Sequence, residues 1–198
     1  MNQNKVIGLT GSIATGKSQV SRFLKNKGIK VVDADLIARD VANFEFVKNK
    51  IKEEFGEDLY KDGNLDRKKL AEVVFKNGKA REKLNQIMHP EIYKEIKRQI
   101  EDSDELVFVD IPLFFENEDL NKKYGLNFDE IWLVYVDRAT QIKRLMKRDD
   151  ISREYAKEKI NSQLSVEEKK EKADVIIDNR TTLDETFAQV DSKLKKMC

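Results

Sequence analysis

The chain has 198 residues, enough for one domain, or one core with insertions, and a substantial buried interior. Its 38 lysines and arginines against 37 aspartates and glutamates leave a net charge of +1, which gives no whole-chain signature of nucleic-acid binding, so any cationic site must be local. Charged residues make up 38% and apolar ones 39%, as expected of a soluble protein with a densely charged surface, and the single cysteine, Cys198, excludes an intrachain disulfide and a cysteine-based metal centre.

The first apolar run, Val6 to Leu9, passes directly into "GLTGSIATGKSQV", Gly8 to Val20. From Gly11 this reads glycine, four residues, Gly16, Lys17, Ser18, the phosphate-loop pattern in every position. Val20, Phe23 and Leu24 follow at helical spacing, so the loop is expected between a strand and a helix. In that context Gly11 and Gly16 supply a permissive backbone, and the backbone amides at the helix start can surround phosphate oxygens. Lys17 reaches the outer phosphates, and the Ser18 hydroxyl is a ligand for a bridging magnesium ion. The start of the chain lacks the long apolar region of a signal peptide, and no stretch is long enough to cross a membrane. A cytoplasmic protein is therefore expected, with no membrane or nucleic-acid partner.

Further apolar runs follow at Ile29 to Val32, Leu106 to Ile111, Ile131 to Val136 and Val175 to Ile177. None alternates strictly, as expected of strands buried on both faces. Helical periodicity lies between them: Ile37, Val41, Phe44, Val47, Ile51, Phe55; then Leu84, Ile87, Ile92, Ile96, Ile100; and near the end Leu183, Phe187, Val190, Leu194. Alternating strands and helices predict an α/β fold with a five-stranded parallel sheet flanked by helices.

From about Ile37 to Ile100 the sequence shows helical periodicity and no convincing strand, which predicts a helical insertion. Within it, "KDGNLDRKKLAEVVF" predicts a turn at Asp62 and Gly63 and a helix capped near Asp66. A charged stretch around Gln141 to Lys172 is expected as a mobile cover. The expected organisation is a nucleotide-binding core at 1–36, 104–140 and 171–198, an insertion at 37–103 and a lid at 141–170. Trp132, inside the fourth run, is expected in the core.

A phosphate loop does not by itself distinguish a GTPase, a motor ATPase and a small-molecule kinase. The guanine-reading Asn-Lys-x-Asp motif is absent, because "NKKY" at Asn121 ends in tyrosine. A kinase needs a group at a strand's carboxyl end to orient or deprotonate an acceptor hydroxyl. "VVDADLIAR" supplies Asp33 and Asp35, with Arg39 one helical turn beyond Asp35, suited to an acceptor phosphate. One of the two aspartates also suits the cap of the following helix. Arg144 and Arg148 lie four apart in the covering stretch and point the same way on a helix, suited either to the transferring phosphates or to a solvated face.

These features, with "EEFGEDLYKDGNLDRKKLAEVVF", "LNQIMHPEI", "VFVDIPLFFE", "QIKRLMKRDD" and "KADVIIDN" in the same order, resemble the dephospho-CoA kinase family over nearly the whole chain. The resemblance implies a phosphate-loop kinase fold with a helical acceptor-binding insertion and a lid. It also implies transfer of the ATP γ-phosphate to the ribose 3'-hydroxyl of dephospho-CoA, with magnesium, as the final step of coenzyme A synthesis. It implies Asp35 as base, with Lys17 and Arg148 on the transferring phosphate. Gly11, Ser12, Ala14, Thr15, Gly16, Lys17, Ser18, Gln19, Arg144 and Asn179 are implied on ATP. Asp35, Arg39, His89, Pro112, Leu113 and Glu116 are implied at the acceptor, and Ser18 and Asp110 at magnesium. His89, the only histidine, reads equally well as an acceptor contact and as a structural residue.

The chain departs from the family pattern in places. Ser12 and Ala14 replace usual glycines, Gln19 a usual threonine, Lys159 a frequent arginine, and "RTTL" after Asn179 lacks a usual glycine. Two rival readings are a nucleoside or nucleotide kinase and a nucleotide-dependent switch without turnover. The "HPEI" segment opposes the first and the paired carboxylates of "DAD" oppose the second. The expected state is a monomer or a small homo-oligomer.

Overall fold

The computed structural model describes residues 4–61, 63–75, 77–103 and 105–197. Along the chain it runs β1 (Lys5–Gly11), α1 (Lys17–Asn26), β2 (Lys30–Asp33), α2 (Ala34–Val41), α3 (Glu45–Phe55), a 3₁₀ turn (Glu57–Leu59), β3 (Tyr60–Lys61) and β4 (Asn64–Leu65). It continues with α4 (Arg67–Phe75), α5 (Gly78–Glu101), β5 (Leu106–Asp110), α6 (Glu118–Lys123) and β6 (Glu130–Tyr135). The final elements are α7 (Arg138–Asp149), α8 (Arg153–Asn161), α9 (Val166–Lys172), β7 (Val175–Asp178) and α10 (Leu183–Leu194). By internal contact the chain forms two units: residues up to Val32 together with those from Ile100 onward, and Asp33–Gln99.

The five apolar runs become the five strands of one parallel sheet, in the order β2-β5-β1-β6-β7. β1 lies between β5 and β6, with Leu9 opposite Asp110 on one side and Gly11 opposite Val134 on the other. The side chains of β6 show why strict alternation was missing from the sequence. Trp132 and Val134 enter a core with Ile7, Leu9, Phe108, Val20, Leu24, Ile177 and Val190. The intervening Leu133 and Tyr135 pack with Val166 in a second cluster. Successive residues of a strand point to opposite faces, so both faces of this strand are apolar because both are covered.

Trp132 is fully buried, meets the Phe108 ring edge to face at 5.1 Å, and donates its indole N–H to Glu130 Oε2 at 2.9 Å. Phe23 of α1 stacks on Phe187 of α10 at 4.3 Å. Short polar side chains start the helices by accepting from free backbone amides. Asp137 takes the amide of Thr140, and Ser152 that of Tyr155. Ser165 and Thr182 form capping boxes with Glu168 and Glu185. "RTTL" thus finds a local role, because Thr182 begins α10.

Within the unit formed by Asp33–Gln99, the periodic run from Ile37 to Phe55 is two helices rather than one. α2 ends at Val41 and α3 begins at Glu45. Asn43, in the break, accepts from the amide of Leu65 at 3.3 Å. The insertion also holds strands where none was expected, since β3 and β4 pair antiparallel, Tyr60 opposite Leu65 and Lys61 opposite Asn64. Two residues per strand are too few to show a period of two in sequence. Gly63 takes a positive φ of 81° beside this pair, while Asp62, the other expected turn residue, lies outside the described residues. Asp66 caps α4 by accepting from the amide of Lys69 at 3.0 Å.

Trp132→Ala is expected to cost about 3–5 kcal/mol of stability, because the cavity left under the sheet cannot collapse. Leu183→Ala, at a side chain 42% exposed, should cost less than about 0.5 kcal/mol. Urea unfolding followed by tryptophan-independent circular dichroism checks both; equal losses would contradict this account of the core.

Candidate active site

The site begins where β1 ends at Gly11 and α1 starts at Lys17. Between them Ala14 and Gly16 take positive φ values of 63° and 91°, which turn the backbone tightly. Thr15 closes the turn on itself, its amide reaching Ser12 O at 3.2 Å and its hydroxyl donating to the same oxygen at 2.9 Å. At Gly11 an added Cβ would stand 2.6 Å from Thr15 Oγ1 and 3.2 Å from Val134 O, so no larger residue fits. At Gly16 it would collide with the Asn179 side-chain amide.

The helix start left by this turn differs from those of α2, α7, α8, α9 and α10. Gly16 is its N-cap and no side chain accepts from its first amides. Free amides at the positive end of a helix dipole form an anion site. Ser12 is buried and its hydroxyl has no protein partner. Ser18 is exposed on the first turn of α1, and Gln19 follows it half-buried.

Parallel strands bring their carboxyl ends to one edge of the sheet. Where β1 delivers the loop, β5 delivers Asp110, a carboxylate only 4% exposed that forms an ion pair with Lys17 Nζ. Thr10 Oγ1 donates to Pro112 O at 3.2 Å, tying β1 to the segment that leaves β5. In that segment Leu113 is exposed and Pro112 half-buried. Glu116 Oε1 accepts from the amide of Leu164 at 3.0 Å and lies 2.8 Å from Nζ of Lys169, which is fully buried. The second oxygen of Glu116 is buried without a protein partner.

Asn179 follows β7 and is 2% exposed. Its Nδ2 donates to Thr15 O at 2.7 Å, and its Oδ1 accepts from Thr186 Oγ1 at 2.9 Å. The side chain expected on ATP is thus hydrogen-bonded to the loop backbone. Arg144 Nη2 donates to Asn179 O at 2.8 Å, which sets this arginine beside Gly16.

Arg148, one turn later on α7, is occupied elsewhere. It forms a forked pair with Asp149, Nε to Oδ1 at 2.7 Å and Nη2 to Oδ2 at 3.2 Å, and Lys159 Nζ donates to Oδ2 at 3.2 Å. The Arg148 hydrogen bond first, and that of Lys159 next, push the Asp149 carboxyl from 3.8 down to about 2. Protonation of Asp149 therefore loosens the pair only as the pH falls toward 2.

In the unit formed by Asp33–Gln99, Asp33 caps α2 by accepting from the amide of Leu36 at 3.0 Å. That settles which aspartate holds the helix start. Asp35 stands exposed in the first turn, and Arg39 is exposed one turn later. Arg67 Nη2 donates to Arg39 O at 3.3 Å, which fixes the end of α2. His89 is half-buried on α5, edge-on to the Tyr93 ring at 6.4 Å.

Sequence reasoning missed two residues at the loop. Gln141 Nε2 donates to Ile13 O at 2.8 Å, and Gln163 Oε1 accepts from the amide of Ile13 at 3.0 Å. A glutamine in a charged helical stretch carries no pattern that marks it as a partner for backbone more than a hundred residues away.

With this geometry in view, three comparisons bear on the chain. The dephospho-CoA kinase family model matches residues 5–185. A dephospho-CoA kinase of Fusobacterium nucleatum is 44% identical over 192 residues, 94% of this chain and 95% of that protein. One of Bacillus cereus is 45% identical over 197 residues, 96% of each. Among solved structures, a dephospho-CoA kinase from Campylobacter jejuni superposes with a TM-score of 0.67 at 29% identity, covering 98% of both chains. A shikimate kinase from Acinetobacter baumannii shares the fold alone, at 17% identity and a TM-score of 0.55, covering 99% of this chain and 95% of its own. A family model spanning most of the residues and relatives this similar over nearly their whole length establish that the chain belongs to the dephospho-CoA kinase family.

Proposed function

We propose that this chain carries out its family's reaction, ATP-dependent phosphorylation of dephospho-CoA at the ribose 3'-hydroxyl to give CoA and ADP, with the following division of labour among its residues. The observation that carries the reading is the uncapped start of α1 beside the Lys17–Asp110 pair, a helix terminus kept free for phosphate with a lysine at hand. Gly11, Ser12, Ala14, Thr15, Gly16, Ser18 and Gln19 form the wall for the ATP phosphates. Lys17 leaves Asp110 for the outer phosphates when they arrive. Arg144 and Asn179 keep that wall in shape.

Ser18 and Asp110 offer a hydroxyl and a carboxylate, the hard oxygen donors that suit magnesium when nucleotide phosphates and water complete its coordination. Among the described residues no group of three or more His, Cys, Asp or Glu side chains could hold a metal unaided, so the nucleotide would have to bring part of the ligand set. A bound magnesium ion would neutralise charge on the phosphates.

Asp35 is the base. Its neighbour Asp33 already caps α2, which leaves the Asp35 carboxylate exposed for an acceptor hydroxyl. The 3'-oxygen attacks the γ-phosphorus, its proton passes to Asp35, and the bond from that phosphorus to the β–γ bridging oxygen breaks as ADP leaves. Arg39, His89, Pro112, Leu113 and Glu116 hold the acceptor, and the helices of the insertion carry most of that task. Arg148 exchanges Asp149 for the transferring phosphoryl group, where its fork stabilises charge that water would otherwise screen. The reading is completed by small-molecule substrates, a cytoplasmic location and a monomer or small homo-oligomer; among the described residues no helix is long and apolar enough to cross a membrane.

Asp35→Asn should bind ATP within about twofold of the parent while losing on the order of 10²–10⁴-fold in transfer, measured by calorimetry and by mass detection of CoA. Full transfer in this variant would remove Asp35 from the mechanism. Arg148→Ala should lower kcat by about 10²–10³-fold with the urea midpoint unchanged, because the side chain is exposed and pairs with the carboxylate of the adjacent Asp149. Unaltered kinetics would return Arg148 to the solvated helix face.

A further inference from the structure

The phosphate loop has a weakness that follows from its use. The first turn of α1 has no side-chain cap, and much of the loop's shape is held by groups outside it. Three amide side chains from distant parts of the chain do this. Asn179 takes Thr15 O, Gln141 takes Ile13 O, and Gln163 takes the amide of Ile13. The orientation of each amide follows from chemistry, because a carbonyl only accepts and an N–H only donates.

Two of the three meet at one residue. Gln141 lies on α7 and is 1% exposed, and Gln163 lies just past the end of α8. Together they satisfy both polar groups of the Ile13 peptide, at a loop position followed directly by Ala14 with its positive φ. Beneath them Ile13 and Ala14 pack against Ile142, Leu145, Ala156 and Ile160, the apolar seam between α7 and α8. The loop apex is therefore seated in the same helix pair that carries Arg144, Arg148 and Lys159.

We infer that Gln163, with Gln141, is a positioning residue that couples the α7–α8 pair to the phosphate loop, setting the direction of the Ile13–Ala14 backbone on which ATP affinity depends. It touches neither substrate. Its effect passes through the Ile13 peptide, and the inference rests on the reading of this loop as the ATP site.

The geometry makes the two glutamines respond differently to the same change. A carboxylate at position 163 still accepts from the Ile13 amide, whereas a carboxylate at position 141 loses its donor and faces the Ile13 carbonyl. Gln163→Met keeps the volume and removes the acceptor.

The test uses the full chain with three readouts: hydrogen exchange at the Ile13 amide without nucleotide, the ATP dissociation constant with magnesium, and the KM for dephospho-CoA. Gln163→Met should speed exchange at Ile13, weaken ATP binding about tenfold and leave the dephospho-CoA KM within about twofold. Gln163→Glu should keep exchange at Ile13 slow, and Gln141→Glu should weaken ATP binding as Gln163→Met does. Unchanged exchange and unchanged ATP binding in Gln163→Met would overturn the inference. So would equal weakening of both substrates with a lowered melting temperature, the mark of general damage. Should Gln163→Met not fold, the two glutamate variants decide together: slow exchange at Ile13 in Gln163→Glu with weakened ATP binding in Gln141→Glu supports the coupling, and unchanged ATP binding in Gln141→Glu overturns it. Failure of the parent protein to phosphorylate dephospho-CoA would fall on the functional reading instead, since exchange and ATP binding are read without turnover.

Discussion

A helix start that is to receive phosphate has to be left uncapped, and that single constraint organises the nucleotide half of this protein. α2 and α7 to α10 close their first turns with their own aspartate, serine or threonine. α1 does not, and the residue at its cap is Gly16 in a left-handed conformation. Unpaired amides are costly where water is excluded, so the arrangement is tolerable only while water or an anion is present to serve them. The stability of the turn must then come from elsewhere. It comes from glycine at Gly11, where any Cβ would crowd Thr15, and from side-chain amides that reach the loop from α7, the end of α8 and the end of β7.

A similar logic governs the charges. Lys17 and Arg148 are suited to polyanions, and each is held by one carboxylate, Asp110 or Asp149. Such pairs differ in their surroundings. Asp110 is almost wholly buried, so its attraction for Lys17 is weakly screened and positions the lysine firmly. Arg148 and Asp149 lie in a wetter setting, where an ion pair contributes little and exchanges readily. The buried pair fixes a lysine at the sheet edge, while the exposed pair holds its arginine only weakly.

How much of this was legible in the sequence depends on distance along the chain. The loop, its glycines and its flanking strand and helix are consecutive, and the chemistry of GSIATGKS needs nothing beyond itself. The five strands were legible because burial on both faces leaves unbroken apolar runs. The pair β3 and β4 was not, since two residues have no period, and the break between α2 and α3 was masked by apolar spacing that continues through Phe44. Which aspartate of "DAD" caps α2 could not be read from the sequence, because both are good caps and only the backbone decides for Asp33. Asn179 was singled out but its bond to Thr15 O was not, and Gln141 and Gln163 were not recognised, because a hydrogen bond to a peptide group leaves no complementary side chain to pair with in the sequence.

The charged stretch expected as a mobile cover also has defined points of attachment. Its helices are fastened to the core at several separate points: Gln141 and Gln163 on Ile13, the amide of Leu164 on Glu116, and the fully buried Lys169 beside the same Glu116. A buried lysine freed from its carboxylate would be strongly unfavourable, so the end of the stretch that includes α9 does not lift away cheaply. The apolar seam of α7 and α8 encloses Ile13 and Ala14, so moving that pair would disturb the loop itself. Freedom is left to the long cationic side chains at the surface, Arg148 and Lys159, whose shared partner is Asp149. Those two side chains come from different helices, α7 and α8, and converge on one carboxylate.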